Sequence, residues 1–404
     1  MRIPFGTIAV TPRARRLIDA ALDSNRLSSG RLVGAFERRF ARLAGVREAV
    51  AVSSGTDADT LALAVLHDLG ARRGDEVIVP ALSFAATGNA VLHAGFTPVF
   101  VDVERDTLNI DPARIARAVT RRTRAIMPVH LMGKPANMDA VNRIARKRRL
   151  LVVEDAAEAH GALYKGRPAG SLGDLGAFST YIAHAVTTIE GGVVTTDRRD
   201  LAAILRSLRS HGRACKCGVC ALNAGQAAPC PRRFRFGKGT DIRFVFERIG
   251  YSSKMNELEA AVGLGSLDRC RAVIARRRRN LLAMMRGWRR FAPHLLTFRE
   301  ERHERIGPHA FPILLGPDAP FSRDELGSFL EKNGIETRHL FSSLPTQCPG
   351  FRFLGYRKGD FPEAEYVGAN GLHVGVHQDL GPEHVAHLLE TVERFLSARG
   401  AAAR

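Results

Sequence analysis

Lysine is scarce in this chain of 404 residues, with eight lysines against 52 arginines. No lysine occurs between Lys165 and Lys216. The middle of this gap, residues 176–192, reads Gly-Ala-Phe-Ser-Thr-Tyr-Ile-Ala-His-Ala-Val-Thr-Thr-Ile-Glu-Gly-Gly. The histidine of this segment, His184, can move protons near neutral pH, but an imidazole cannot form an imine with an aldehyde. The segment therefore has no side chain that could form an imine with an aldehyde.

Long hydrophobic runs are also absent. No apolar run approaches the ~20 residues that a membrane span needs, and the opening Met-Arg-Ile-Pro-Phe-Gly lacks the layout of a secretion signal. A hydrophobic content of 45% and a charged content of 25% are ordinary for a soluble globular protein. We therefore expect a cytoplasmic protein with no membrane association and, from its length, at least two domains.

Acidic residues are too few to balance the basic ones, and the formal net charge is +19. The arginines are spread along the chain, with local runs at 143–149 and 276–279 in stretches that read as helices. Aromatic residues do not alternate with these runs, as they do on surfaces that stack nucleic-acid bases. We interpret the arginines as solvated helix faces that could attract an anionic substrate, and do not expect a nucleic-acid partner.

Short apolar strands alternate with helices in the first 155 residues. Such strands indicate an α/β protein with a mostly parallel sheet covered on both faces. A basic helix near 268–290 is predicted to lead into a smaller α+β domain. The predicted domains are 1–268, with a Cys-rich insertion at about 213–240, and 269–404. The strands are predicted at 49–52, 76–80, 97–102, 125–130 and 150–155, and the helices at 33–44, 58–69 and 87–94.

Two candidate ligand contacts follow strands of this sheet, at the carboxyl ends where ligands gather. Residues 53–56, Ser-Ser-Gly-Thr, could cradle a phosphate at a helix N-terminus, although Ser and Thr are also ordinary N-caps. Asp155 could hold the ring nitrogen of a cofactor protonated, or could close a turn. Taken alone, His160 and His184 can equally be structural histidines.

The cysteines form a second unusual feature, because four of the six lie within 16 residues. Clustered thiols in a cytoplasmic protein favour metal ligation over disulfides. Four thiolates suit either a tetrahedral zinc site or an iron–sulfur cluster, and free thiols in a loop are the alternative. The candidate metal ligands are Cys215, Cys217, Cys220 and Cys230.

Motifs spread over much of the chain form a specific combination. They are Ser53-Ser-Gly-Thr56, Pro80-x-x-Ser-Phe-x-Ala-Thr87, Gly95-x-x-Pro-Val-Phe-Val-Asp102, Glu154-Asp-Ala-Ala-x-Ala-His-Gly161, Gly173-Asp-x-Gly-Ala-Phe-Ser179 and Gly250-Tyr-Ser-Ser-Lys-Met-Asn-Glu-Leu-x-Ala-Ala261. Together they resemble the DegT/DnrJ/EryC1/StrS family of sugar aminotransferases, which use pyridoxal phosphate (PLP). The resemblance implies a fold type I PLP-dependent transferase and a homodimer whose active sites lie between the subunits.

The resemblance also assigns roles to residues of the cofactor site. The phosphate is held by a glycine, a threonine and a serine, the pyridine nitrogen by an aspartate, and the ring face by a phenylalanine. A glutamate stands where the family often has glutamine, and a serine replaces the asparagine that commonly reaches the phosphate from the partner subunit. The phosphate contacts are Gly55, Thr56 and Ser179, the aspartate is Asp155 and the phenylalanine is Phe84. The glutamate is Glu158, and the serine in place of the asparagine is Ser252.

His184 stands where the family has its Schiff-base lysine. Histidine in this place marks the 3-dehydratases that act on nucleotide-linked 4-keto-6-deoxy sugars with pyridoxamine phosphate (PMP) bound without a covalent link. The implied role of His184 is to remove a proton from the cofactor methylene while the 3-hydroxyl leaves. One branch resembles CDP-4-keto-6-deoxyglucose 3-dehydrase and carries a [2Fe–2S] cluster fed by a reductase. The other resembles GDP-4-keto-6-deoxymannose 3-dehydratase and has no cluster.

The Cys-x-Cys that follows His211-Gly-Arg213 resembles the branch with the cluster. That branch has a further ligand where this chain has Ala157, and Cys220 could supply the missing thiolate. Two other functions remain open. One is an aminotransferase that uses Lys165 or Lys254 and binds a structural zinc. The other is a non-catalytic ligand-binding or regulatory relative.

Overall fold

A computed structural model describes residues 1–6, 9–221 and 230–400. Its helices are α1 Pro12–Asp23, α2 Arg31–Ala44, α3 Gly55–Asp68, α4 Ala85–His93, α5 Pro112–Ala118, α6 Met138–Arg148, α7 Arg199–Leu208, α8 Glu257–Trp288, α9 Arg323–Lys332, α10 Leu344–Gln347, α11 Pro362–Asn370 and α12 Pro382–Ser397. Its strands are β1 Glu48–Val52, β2 Glu76–Pro80, β3 Thr97–Val101, β4 Thr123–Ile126, β5 Leu151–Asp155, β6 Leu163–Tyr164, β7 Arg167–Pro168, β8 Leu175–Ser179, β9 Gly192–Thr196, β10 Leu295–Leu296, β11 Glu304–Arg305, β12 Ala310–Leu315, β13 Thr337–His339 and β14 Gly371–Gly375.

The central sheet has seven strands in the order β1-β9-β8-β5-β4-β2-β3. β9 runs antiparallel to both of its neighbours, and the pairs from β8 to β3 are parallel. The prediction of an α/β protein with a mostly parallel sheet is confirmed.

Helices cover both faces of this sheet, as the continuous apolar strands predicted. Side chains alternate across a strand, and in β1 they divide accordingly. Val50 and Val52 pack into the core that contains α3, whereas Ala49 and Ala51 pack into the core that contains α2 and the first part of α8. The sheet is therefore a layer buried between two apolar cores.

The C-terminal part of the chain contains a smaller antiparallel sheet, in the order β10-β12-β14-β13. α9 and α12 contribute Leu326, Leu388 and Phe395 to its apolar packing. Helix α8 spans the predicted boundary at residue 268, so the two-domain division stays a prediction. Of the predicted Cys-rich insertion, residues 222–229 lie outside the described residues.

Two element boundaries differ from the sequence prediction by more than three residues. The strand expected at 125–130 ends at Ile126, because Pro128 has no N–H to continue the ladder. The basic helix expected from residue 268 begins at Glu257, where Asn256 and Glu259 form a capping box. Over the described residues, helices that are both long and apolar enough to cross a membrane do not occur.

Candidate active site

The candidate site lies at the carboxyl edge of the central sheet, where β1, β2, β5 and β8 end. The candidate cofactor contacts follow directly from this topology, because parallel strands deliver their last residues to the same edge. Gly55 follows β1, Phe84 follows β2, Asp155 closes β5 and Ser179 closes β8.

The N-terminus of α3 touches the end of β8. A Cβ on Gly55 would lie 2.7 Å from Ser179 Cβ and 3.0 Å from Ser179 Oγ, so only glycine fits here without displacing the serine. Ser54 is the N-cap and accepts a hydrogen bond from Asp57 N at 3.0 Å. Gly55 and Thr56 form the first turn, where backbone N–H groups and the helix dipole favour an anion. The expected phosphate contacts are thus brought together.

Asp155 is buried at the next position along the edge. Its Oδ2 accepts a hydrogen bond from Thr87 Oγ1 at 2.8 Å, and its Oδ1 accepts one from Ala157 N at 3.2 Å. Ser83 Oγ lies 2.7 Å from Thr87 Oγ1 and completes a chain of hydroxyls. Burial raises the pKa of Asp155, and the bond from Thr87 is the largest opposing effect. Asp155 is therefore fixed in direction and ready to receive a cationic N–H.

Phe84 immediately precedes α4, and its side chain is 61% exposed. Its ring lies 5.6 Å from that of Phe341 at an angle of 52°. Large aromatic side chains are, on average, mostly buried in folded proteins. The exposed ring at the mouth of the site is available to pack against a planar ligand.

His184 lies on a turn that connects β8 to β9. The backbone N–H groups of Thr180 and Thr188 close this turn, bonding to Gly191 O and Thr180 O. Buried Arg277 of α8 donates to Ala183 O at 3.3 Å and braces the turn from outside. Hydrogen bonds thus fix the turn that carries His184.

The ring of His184 lies between two other imidazoles. Its centroid is 5.8 Å from that of His160 and 5.1 Å from that of His309. Among the described residues, its buried Nδ1 has no hydrogen-bond partner. Burial, followed by the charges of His160 and Arg277, lowers the pKa of His184 well below its ordinary value. The free ring is therefore neutral near pH 7 and can accept a proton.

His160 differs from His184 in having a clear structural contact. Its Nε2 donates to Ser179 O at 2.8 Å, and its ring packs against Phe178 with centroids 5.3 Å apart. Burial lowers its pKa to about 4. His160 thus fixes the end of β8, which fits the structural alternative.

Glu158 lies beside His309, and its side chain is nearly buried. Its Oε2 accepts a hydrogen bond from Met132 N at 2.7 Å, and its Oε1 lies 3.2 Å from His309 Nε2. Burial is the main reason that the pKa of Glu158 rises to about 8. His309 was not anticipated from the sequence, and it brings a residue of the C-terminal part into the site.

Lys254 lies at the end of β1, near the candidate site, whereas Ser252 and Lys165 pair with other segments. Ser252 is exposed, and its backbone pairs with Ser210. Lys165 is exposed in the turn between β6 and β7 and forms an ion pair with Asp139. Lys254 is partly buried, and its backbone pairs with Val52 at the end of β1.

The four clustered cysteines are free thiols, all partly buried. The thiols of Cys215 and Cys217 are hydrogen-bonded to each other, which is the main reason that the pKa of Cys215 falls to about 6. The hydrogen bond to Asp241 is the main reason that the pKa of Arg243 is raised. The charges of Cys220 and Cys230 add to this shift, so these two thiols lie near the same guanidinium. Groups of three or more His, Cys, Asp or Glu side chains arranged to hold a metal ion are not found in the described part of the chain.

Comparison with known proteins identifies the family. The model of the DegT/DnrJ/EryC1/StrS aminotransferase family matches residues 10–393. The chain belongs to this family. It is 37% identical to dTDP-4-dehydro-2,6-dideoxy-D-glucose 3-dehydratase of Saccharopolyspora spinosa, over 98% of this chain and 86% of that protein. It is 35% identical to GDP-perosamine synthase of Caulobacter vibrioides, over 98% of both chains.

Solved structures agree with this assignment. The structure of Escherichia coli GDP-4-keto-6-deoxy-D-mannose-3-dehydratase with bound hydrated PLP superposes with a TM-score of 0.85. The identity is 29%, with 97% of this chain and 99% of that chain covered. The architecture is fold type I, as the sequence motifs implied. The family contains both dehydratases and aminotransferases, so membership alone leaves the reaction open.

Two further residues of the family site escaped the sequence reasoning. Thr87 lay within a quoted motif, and its spacing of four from Ser83 on a helix start signalled that the two hydroxyls would meet. Asp59 of α3 is buried, and its Oδ1 has no hydrogen-bond partner among the described residues. Burial, and secondarily the charge of Asp155, raises the pKa of Asp59 well above its ordinary value. No sequence pattern distinguished this carboxyl from a surface one.

Proposed function

We propose that this protein is a 3-dehydratase that uses PMP, or PLP converted to it, on a nucleotide-linked 4-keto-6-deoxy sugar. The single observation that carries the proposal is His184, which stands where the family resemblance implies the Schiff-base lysine, within a largely intact cofactor frame. Relatives with dehydratase names support the reaction class. The solved relative with hydrated PLP supports a cofactor held without a covalent link to the protein.

The residues at the sheet edge fit a phosphorylated pyridine ring. The cradle at Gly55 would be filled by any Cβ, so the N-terminus of α3 stays open to a phosphate next to Ser179. Asp155 is oriented by two donors and can face a protonated ring nitrogen. The exposed ring of Phe84 can cover one face of the pyridine. Thr56 adds a hydroxyl in the first turn of the helix.

In the proposed reaction PMP supplies an amine for the 4-keto group and a methylene that can lose a proton. His184 accepts that proton, and its lowered pKa means that the imidazole is already neutral at the working pH. Asp155 keeps the ring nitrogen protonated by offering a buried carboxylate. Burial at the foot of the site excludes water from these charges and strengthens their effects.

The cysteines are proposed to hold a [2Fe–2S] cluster that passes electrons from a reductase partner. Cys215, Cys217, Cys220 and Cys230 supply the four thiolates that such a cluster needs. The contact of Cys215 with Cys217 and the nearness of Cys220 and Cys230 to Arg243 support this grouping only in pairs, because the described residues do not bring three or more thiols together as metal ligands. Zinc at the same thiols is the alternative.

A PLP-dependent aminotransferase with structural zinc is the second candidate. Lys254 favours it, because burial, together with Arg213 and Arg209, lowers the pKa of this lysine and makes its amine more nucleophilic. The charge of Cys220 opposes this shift, so the side chain of Lys254 lies near the clustered thiols, whereas His184 lies beside His309, which contacts Glu158. The dehydratase is therefore the function that the residues support best.

A homodimer is proposed as the working form, with the partner contributing to each site. Phe84 and Ser252 are both exposed in the single chain, as expected of residues that a second subunit covers. The substrate is proposed to be a nucleotide sugar, whose diphosphate would be attracted by the strongly basic chain.

Anaerobic purification followed by metal, sulfide and absorbance analysis tests the proposal. A dehydratase of this kind predicts PMP binding, no cofactor fixed to the protein by borohydride, and iron with sulfide in equal amounts. Replacing His184 with asparagine should abolish turnover while leaving PMP bound. A borohydride-fixed cofactor on Lys254, accompanied by zinc, would instead identify the aminotransferase.

A further inference from the structure

His184 needs a stabilising charge if it is to work as a base. Burial, His160 and Arg277 all disfavour its protonated form. A base whose pKa lies far below the working pH accepts a proton reluctantly. A nearby anion would stabilise protonated His184 and make it a stronger base. The carboxyl of Glu158 is a candidate, because it contacts His309, which lies beside His184.

Glu158 and His309 form a tight pair beside His184. Glu158 Oε1 lies 3.2 Å from His309 Nε2, and the two side chains are only 11% and 8% exposed. The ring of His309 lies 5.1 Å from that of His184 at an angle of 35°. The pair therefore borders the base directly and is shielded from solvent.

The backbone around the pair is built to hold it. Met132 adopts a left-handed conformation with φ of 53°, which aims its N–H at Glu158 Oε2. A Cβ on Gly133 would lie 2.0 Å from Gly307 O, and Gly307 N donates to Gly133 O at 2.8 Å. His309 follows two residues later, so these close contacts fix it opposite Glu158. Non-glycine residues rarely adopt positive φ without a compensating role.

We propose that His309, held by Glu158, is a positioning residue that controls the protonation of His184. The pair shares one proton between Glu158 Oε1 and His309 Nε2. When the pair releases this proton to solvent, a negative charge remains beside His184 and stabilises its imidazolium. The inference rests on the proposed function for the identity of the proton that His184 takes.

The charged groups around the pair give the direction of its pH dependence. Burial, and to a smaller extent the charge of Asp155, raises the pKa of Glu158 to about 8 against the opposing effect of the hydrogen bond from Met132 N. Burial lowers the pKa of His309, and so do the charges of its four basic neighbours. Below about pH 8 the pair is therefore a carboxylic acid beside a neutral imidazole, and above it the pair carries one negative charge. The four neighbours are His184, His373, Arg277 and His160.

Nuclear magnetic resonance of apoprotein carrying ¹⁵N-labelled histidine tests the pair without cofactor or substrate. The ring nitrogens of His309 and His184 should sense a titration near the pH at which Glu158 ionises, about 8. The E158Q variant should lose this titration, and H309N should shift it at His184 by about one unit or more. The control H339N, which changes an exposed histidine of β13, should leave it unchanged.

Single-turnover dehydration with PMP-loaded protein provides the second readout. The wild-type rate should rise about tenfold per pH unit below the pKa of the pair, and E158Q should lose this rise while KM for the sugar changes little. Retention of the rise in E158Q, or independent titration of His309 near its ordinary value, overturns the inference. A wild-type protein that shows the titration but releases an amino sugar overturns the proposed function and leaves the pair intact.

Discussion

Removing the hydroxyl of Thr87 tests whether Asp155 acts as a carboxylate toward the cofactor. Valine has nearly the same shape as threonine, so T87V deletes only the donor that lies 2.8 Å from Asp155 Oδ2. A hydrogen bond to a charged group contributes about 1.5–3 kcal/mol. Since one pKa unit corresponds to ~1.4 kcal/mol, the pKa of Asp155 should rise by about 1–2 units.

The same free energy sets the expected loss of affinity. If the carboxylate binds the protonated ring nitrogen, PMP should bind T87V about 10- to 150-fold more weakly than wild type. The control T87S keeps the hydroxyl and should lose much less. The affinity of T87V should also recover as pH rises, because higher pH restores the carboxylate whose pKa was raised.

Calorimetric titration of apoprotein with PMP measures these affinities, and circular dichroism checks that each variant is folded. Binding by T87V within about twofold of wild type would show that the charge of Asp155 does not contribute. Weak binding by T87S as well as T87V would point to packing rather than to the hydroxyl. Either result refutes the reasoning about Asp155.

Three further predictions follow from the geometry. G55A should push Ser179 away and reduce affinity for inorganic phosphate as well as for PMP, measured by calorimetry, with A58G on the same helix as a control for loss of stability. D59N should raise the melting temperature more at about pH 7.5 than at about pH 5. A carboxyl whose pKa is raised by burial destabilises the fold as the pH rises above the pKa of the same group in the unfolded chain. An equal gain at both pH values would contradict this reasoning. In metal-free protein, Cys215 should react with iodoacetamide faster than the other thiols at neutral pH, because Cys217 stabilises its thiolate. C217S should slow this reaction. Mass mapping of the alkylated peptides measures both rates.

The sequence predicted the fold because the fold depends on local patterns, whereas the cofactor contacts that the family resemblance assigned stay predictions. Five apolar strands were recognisable from composition, and their parallel arrangement places Gly55 and Asp155 at one edge of the sheet. β8 and β9 were not predicted, so the contact of Ser179 with Gly55 is known only from the structure. Thr87 was within reach of the same reasoning, since its partner Ser83 lies one helical turn away.

The rest of the site depends on contacts that sequence spacing does not encode. Glu158 and His309 are 151 positions apart, and only the packing of the C-terminal part against residues 131–133 joins them. Asp59 is buried by its place on α3 rather than by its residue type. The sequence showed that the cysteines are clustered, but their spacing alone determines neither the orientation of the four thiols nor the identity of the metal.

Mass spectrometry of the sugar released in a single turnover tests the central claim most directly. Protein loaded with PMP is mixed with a nucleotide-linked 4-keto-6-deoxy sugar and a chemical reductant that replaces the reductase partner, and the mass of the product is measured. The account predicts a nitrogen-free sugar that has lost its 3-hydroxyl from wild type, and no product when His184 is replaced by asparagine. An amino sugar from the wild type, or an unchanged yield from H184N, would contradict it.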